Sequence, residues 1–314
     1  MAIVLTFPGQ GSQIVGMGRD LCESFPEARL VFEEVDHTLN QHLSDLMWNG
    51  PQEELTVTYN AQPALTAVSM AFIRVMEKNG LCFERDISYV AGHSLGEYTA
   101  LCAAKAFSLS DTIRLVRARG KSMQEAVPPG LGGMAAIIGL DDRAVEFACE
   151  QASKIGICQI ANDNGGGQIV ISGMQDAVKC AVDSCLEKGA RRAVFLPVSA
   201  PFHSSLMAPV SKVMQNMLGD IQKQDPVVPV LPNVCASPVS DIDEISKLLV
   251  EQVTARVRWR ETIQWFANHG MTHIYEIGSG KVLTGLAKRI DKSISAISVD
   301  KIENIDLALE TIIG

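Results

Sequence analysis

The chain has 314 residues, 47% of them apolar and 20% charged, and a formal net charge of -9. That length allows a substantial interior in one large domain or two smaller ones, while the acidic balance excludes the basic face of an electrostatic nucleic-acid binder. No apolar run reaches the ~18 residues of a membrane span, and the opening MAIVLTFPGQG lacks the basic segment of a secretory signal. The cysteines at 22, 82, 102, 149, 158, 180, 185 and 235 form no Cys-x-x-Cys pair, and several lie in apolar runs. They read as buried thiols of a protein kept in the reducing cytoplasm, and no metal-ligand cluster is visible.

Residues 2–7 form an apolar run stopped by Pro8-Gly9, the pattern of a strand buried on both faces. A loop with glycines at 9, 11, 16 and 18 follows. Helices are predicted over 27–47 and 62–79, the second entered through Gln62-Pro63 and ended by Asn79-Gly80. Residues 87–91 read as a strand, the Ala-, Leu- and Glu-rich stretch from Leu95 to about Ala106 as a helix, and 110–126 as another. From Pro128-Pro129-Gly130 to Pro197 and Pro201 the rhythm changes. Strand-like 134–139, helix-like 141–153, strand-like 157–161 and 168–172, helix-like 175–188 and strand-like 192–198 give βαββαβ, the split unit of a ferredoxin-like subdomain. The expected organisation is a larger α/β core over 1–127 and 200–314 with a small subdomain over 128–199 inserted into it. A helix near 204–218, a strand near 227–231, helices near 241–253 and 259–269, a strand at 273–277 and a helix from about 281 complete the order.

Gly92-His93-Ser94-Leu95-Gly96 fits Gly-x-Ser-x-Gly, in which a tight strand-to-helix turn holds a serine hydroxyl out of the sheet. Ser94 with Glu97 also spells a capping box, so the hydroxyl could instead serve a helix end. As a nucleophile Ser94 needs a base. Of the six histidines, His37 and His42 lie in a polar helix and His269 at a helix end, while His273 precedes a strand. His203, in SAPFHSSL, sits in a proline-bounded turn where the chain re-enters the core. Arg119 is the other anomaly: at about 100° per residue it lies within about 50° of the centre of the apolar stripe Ile113, Val116, Gly120, Met123. It either snorkels from the stripe's edge or faces a cleft and grips a carboxylate. The loop FPGQGSQ at 7–13 has small residues at a strand end and could offer a backbone N–H to an oxyanion. Neither it nor GSGKVLTG at 278–285 is a phosphate-binding P-loop.

Taken together, FPGQGSQ, GHSLGE, Arg119-Gly120-Lys121-x-Met123-Gln124, Asn162-Asp163-Asn164, Pro201-Phe202-His203-Ser204 and Glu276-Ile277-Gly278-x-Gly280 resemble the malonyl-CoA:acyl carrier protein transacylase family of bacterial fatty-acid synthesis. The motifs occur in family order across essentially the whole chain. The resemblance implies an α/β-hydrolase-like core with a parallel sheet plus an inserted ferredoxin-like subdomain, and a ping-pong transfer of malonyl groups. It implies Ser94 as nucleophile, His203 as general base and then acid, and a main-chain carbonyl, that of Gln252, in place of a triad acid. Gln10 and Leu95 would supply the oxyanion-hole N–H groups, and Arg119 would bind the malonyl carboxylate. Met123, Asn162, Asn164 and His93 match positions near the acyl pocket, and Leu95 with Phe202 resembles a malonyl-selective pattern. The implied partners are malonyl-CoA and acyl carrier protein, with no cofactor beyond the CoA and phosphopantetheine carried by the substrates, and with a monomer favoured. A carrier of polyketide synthesis, a serine hydrolase and a non-catalytic scaffold remain alternatives. Lys and Arg at 188–192 and 281–289 are candidates for docking the acidic carrier.

Overall fold

The computed structural model describes residues 2–128, 130–198 and 200–314, so Pro129 and Ser199, at the edges of the expected insertion, lie outside it. The first apolar run forms strand β1 (Ile3–Phe7), all five residues buried. Its alternate side chains serve two interiors: Ile3, Leu5 and Phe7 point into the main core, and Val4 into a second cluster with Ala91, Trp259, Phe266 and Ile274. A strand covered on both faces belongs to a parallel sheet. With β2 (Tyr89–Gly92), β7 (His273–Ile277) and β8 (Ser295–Val299), it forms a four-stranded parallel sheet ordered β2-β1-β7-β8.

The second sheet contains β3 (Gly132–Ile138), β4 (Cys158–Asp163), β5 (Gln168–Met174) and β6 (Arg192–Phe195) in the order β4-β5-β3-β6, every pair antiparallel. Helices Asp142–Ala152 and Gln175–Glu187 complete the ferredoxin-like βαββαβ. Ala135 and Ile137 of β3, with Ile169 and Ile171 of β5, pack beneath those helices. The intervening Met134, Ala136 and Val170 face the main core. Backbone and side-chain ties both hold this body to the parallel-sheet body. Val257 exchanges backbone hydrogen bonds with Ala161 and Asp163 at 2.8 and 2.9 Å, and Arg260 donates to Asp163 and Asp142 at 2.7 and 3.0 Å.

Several boundaries differ from the sequence reading for local reasons. The helix expected over 27–47 is two helices, Pro26–Leu39 and Leu43–Asn49, because Asn40 takes a left-handed φ of 47° and ends the first. The helix expected from Gln62 starts at Thr58, so Pro63 lies inside it and leaves the Tyr59 carbonyl without its i+4 donor. The strand expected at 227–231 is reduced to isolated bridges from Val230 to Val90 and Val239, since Pro229 and Pro232 withhold ladder donors. Strand β6 stops at Phe195, and β8 and the helix Glu303–Ile313 were not anticipated.

What positions the site is the end of the β1–β2 ladder, where Phe7 pairs with Gly92. Both chains leave the sheet there, at the carboxyl ends of adjacent parallel strands, where open α/β sheets form their crevices. The helix Leu95–Ala103 approaches so closely that a Cβ on Gly96 would lie 2.2 Å from the Phe7 carbonyl oxygen, and one on Gly92 would lie 1.9 Å from the Gly96 backbone. Gly96→Ala is therefore expected to cost about 3 kcal/mol or more in denaturant unfolding, since rigid backbone must move. Gly219→Ala, at a helical position with nothing within 4 Å of the added Cβ, is expected to be neutral or slightly stabilising.

Candidate active site

Ser94 sits between β2 and the helix Leu95–Ala103 with φ 53° and ψ -107°. A non-glycine residue held there carries strain of about 1–3 kcal/mol. The surroundings fix it from both sides: its N–H donates to Asn233 Oδ1 at 2.7 Å, and its carbonyl accepts from Gln252 Nε2 at 3.1 Å. Asn233 in turn donates through Nδ2 to the Gly92 carbonyl at 2.7 Å. The capping-box alternative fails on this geometry. The Ser94 hydroxyl makes no cap hydrogen bond, and the Glu97 carboxylate accepts from Asn233 N and Gln252 Nε2, both at 2.8 Å, rather than reaching back to Ser94.

The Ser94 hydroxyl meets His203 Nε2 at 2.8 Å. His203 Nδ1 lies 2.9 Å from the Gln252 carbonyl and 3.2 Å from that of Ala255, so it must carry the proton there. That tautomer leaves Nε2 with a free lone pair, and Ser94 Oγ–H donates to it. Gln252 ends the helix Ile242–Gln252, whose last carbonyls have no intrahelical donor and carry the negative end of the dipole. His203 thus uses a helix end where other serine sites use an aspartate. It is buried, with φ 56°, in the turn ahead of the short 3₁₀ helix Ser205–Met207. Burial, reinforced by the neighbouring Arg119 charge and only partly opposed by the two carbonyls, pushes its pKa down to about 3.

Arg119 comes from the helix Leu109–Glu125 and is 2% exposed. Its Nη2 donates to Ser94 Oγ and Gln252 Oε1, both at 3.0 Å, and its Nη1 to Gln62 Oε1 at 2.9 Å. The guanidinium also lies over the Tyr98 ring, 5.5 Å from its centroid. Arg119 is thus turned inward to the cavity rather than snorkelling to water. Gln10 is tied to the same group of residues: Thr58 Oγ1 donates to its Oε1 at 2.8 Å, and Gln62 Nε2 donates to Thr58 at 2.9 Å. The backbone N–H groups of Gln10 and Leu95 donate to no acceptor among the described residues.

A cavity of about 480 Å³ opens over Ser94. Of the residues singled out from the sequence, Gln10, His93, Leu95, Arg119, Met123, Asn162, Asn164, Phe202 and His203 line it. Gln252 stands behind it, fully buried. His93 Nε2 donates to Asn164 Oδ1 at 2.9 Å, which leaves the 3.5 Å approach of Asn162 Nδ2 to the same nitrogen as a contact only. Burial holds the His93 pKa below the usual range. Asn233, Gln62 and the Glu97 carboxylate were not found from sequence. Their partners lie far away in the chain, and no spacing rule marks them. The other histidines are remote: His269, for example, donates to Trp265 O at 2.7 Å and stacks on that ring. Among the described residues no group of three or more His, Cys, Asp or Glu could hold a metal ion.

Residues 4–302 match the family model described as an acyl transferase domain. The chain is 44% identical over 311 residues to the malonyl CoA-acyl carrier protein transacylase of Bacillus subtilis (strain 168), covering 99% of this chain and 97% of that one. Its fold is similar to a crystal structure of an acyl-carrier-protein-S-malonyltransferase from Bartonella henselae, with TM-score 0.98, 58% identity and 100% of both chains covered. It is also similar to a malonyl-transacylase solved in complex with its type II PKS acyl-carrier protein, with TM-score 0.96, 41% identity, and 99% of this chain and 100% of that chain covered.

Because the folded site refuses a proton that the unfolded histidine accepts below its ordinary 6.5, acidification from there toward 3 removes stability. The expected observation is that the His203 ring resonance does not titrate between pH 8 and 5. A midpoint near 6.5 in an NMR titration would contradict the buried neutral tautomer.

Proposed function

This chain belongs to the acyl transferase domain family, among the malonyl CoA-acyl carrier protein transacylases, and on that premise we propose that it carries malonyl groups from malonyl-CoA to the phosphopantetheine thiol of an acyl carrier protein for fatty-acid elongation. The observation that carries this reading is a single hydroxyl shared by a base and a buried guanidinium: Ser94 Oγ is 2.8 Å from His203 Nε2 and 3.0 Å from Arg119 Nη2. A serine, a base and a fixed cation together suit an acyl group that carries its own carboxylate.

In the first half-reaction Ser94 Oγ attacks the thioester carbonyl as its proton passes to His203 Nε2. The oxyanion is held by the Gln10 and Leu95 N–H groups, preorganised donors aimed at charge that develops only in the transition state. Collapse expels the CoA sulfur, which takes the proton from His203, and leaves a malonyl ester on Ser94. In the second half the carrier thiol gives its proton to His203 and attacks that ester, and the proton returns to Ser94 Oγ. The helix-end carbonyls of Gln252 and Ala255 hold the imidazole in the tautomer both halves need.

Arg119 gives selectivity. A malonyl carboxylate replaces the Ser94 and Gln252 oxygens on the guanidinium with two charge-assisted bonds. An acetyl group offers nothing there and leaves a desolvated cation without a directly bonded counter-charge, which is costly. Met123, Asn162, His93 and Phe202 shape the rest of the acyl pocket, and exclusion of a methyl branch rests on shape alone, worth about 1–3 kcal/mol. The reaction needs no group beyond the CoA and phosphopantetheine of its substrates. All eight cysteines are free thiols, which supports a reducing cytoplasmic setting. No helix among the described residues is long and apolar enough to cross a membrane. The working unit is taken as the monomer.

Intact mass after mixing with malonyl-CoA is expected to show one added malonyl group on the wild type and none on Ser94→Ala, and holo carrier protein is expected to remove it. An adduct lost to water as fast as to carrier would make this a hydrolase instead. Arg119→Ala is expected to lose malonyl transfer by about 100-fold or more while relatively favouring acetyl, given the cost of mismatched buried polar groups. Unchanged selectivity in a competition assay would remove Arg119 from the role.

A further inference from the structure

His203 faces a charge problem that its hydrogen bonds do not solve. In the free site His203 and Arg119 both bond Ser94 Oγ, so in taking the Ser94 proton His203 becomes a cation beside a second buried cation. Its Nδ1 meets only neutral carbonyls, and the hydrogen bonds of Arg119 go only to neutral oxygens. Serine sites with an aspartate place the compensating charge directly on the histidine. Here a buried carboxylate stands one residue further back. Glu97 is fully buried, and its Oε2 accepts from Gln252 Nε2 at 2.8 Å. The same Gln252 accepts from His203 through its backbone oxygen and from Arg119 through Oε1. One glutamine thus touches both cationic groups and the carboxylate.

We propose that Glu97 is the counter-charge of the reaction centre, a positioning residue acting through Gln252, whose carboxylate offsets the positive charge gathered around Ser94 when His203 is protonated beside Arg119. The proposal rests on the acyl-transfer reading given above. A helix-capping role would send the carboxylate to the first-turn N–H groups. Instead it accepts from Asn233 N and Gln252, and its Oε1 has no hydrogen-bond partner among the described residues. The charged group acting on it from the helix Leu109–Glu125 is Arg119. Tyr98 adjoins it on its own helix, His203 stands neutral across Gln252, and Asn233 and Gln252 present amides. Burial, opposed by Asn233, Gln252 and Arg119, raises the Glu97 carboxyl to about 7, so its charged form accumulates as pH rises through neutrality.

The test compares wild type with Glu97→Gln, which keeps an acceptor for Asn233 and Gln252 but removes the charge. Pre-steady-state acylation by malonyl-CoA would be followed from pH 5.5 to 8.5, with thermal melts and the Ser94 adduct measured in parallel. Expected for the variant is a folded protein that still forms the adduct, with kcat at pH 8 reduced about 100-fold, less than loss of a direct triad acid costs. Its KM for malonyl-CoA should be unchanged or lower, because Arg119 is then the less compensated. The wild type should show an acid limb with a midpoint near 7 that the variant lacks. A variant within about threefold of wild type at every pH, or one with raised KM and intact kcat, overturns the proposal. If the variant does not fold, the wild type decides alone. A limb near neutrality while the His203 ring resonance stays unchanged supports Glu97, and no limb, or one tracking His203, overturns it. Absence of any Ser94 adduct on wild type would sink the acyl-transfer reading itself, a result distinct from a defect confined to the variant.

Discussion

Burying a guanidinium is the constraint from which most of this site follows. Arg119 is almost wholly removed from water, yet only oxygens of neutral groups reach it. A desolvated cation in that state is costly unless its donors are satisfied and a compensating charge lies nearby. Gln62 and Gln252 supply acceptors, the Tyr98 ring offers its face, and the Glu97 carboxylate lies beyond one carboxamide. These groups come from three helices besides the one that carries Arg119, so holding one arginine in place locks their mutual positions.

The histidine shows the same economy. An aspartate in contact with His203 would raise its affinity for protons and would compete for Arg119. Carbonyls at a helix end fix the ring's tautomer without adding a full charge. The imidazole stays neutral and able to accept, and the site retains its positive character at the point where an anionic acyl group would enter.

Much of this was legible in the sequence where signal and contact are local. The apolar run before Pro8, the strand before Gly92 and the glycines around Ser94 define a tight strand-to-helix turn, and the close backbone approach at Gly96 shows why both glycines are needed. Arg119 betrayed itself by lying on an apolar stripe, and His203 by its place between prolines at a chain re-entry. Asn233 and the Glu97 carboxylate were not legible in the same way. The Asn233–Glu97 bond spans 136 positions and the Gln252–Ser94 bond spans 158, so no periodicity or motif could link them. The capping box was the right spelling with the wrong partners, since tertiary contacts outbid the local ones. Where prolines broke a ladder, as around Val230, the β pattern overstated the strand.

The alternation along β3 and β5 divides labour in a way that bears on how such a cleft could change over generations. Met134, Ala136 and Val170 reach the cavity from a sheet whose other face is packed by its own two helices. Ser94, His203 and Arg119 are carried by the other body and hold one another directly. This wall of the cavity can therefore be resculpted by exchanging side chains on one face of a self-supporting sheet, leaving Ser94, His203 and Arg119 in register. The shape of that wall, unlike the charge that Arg119 places beside Ser94, is in this architecture heritable apart from the chemistry.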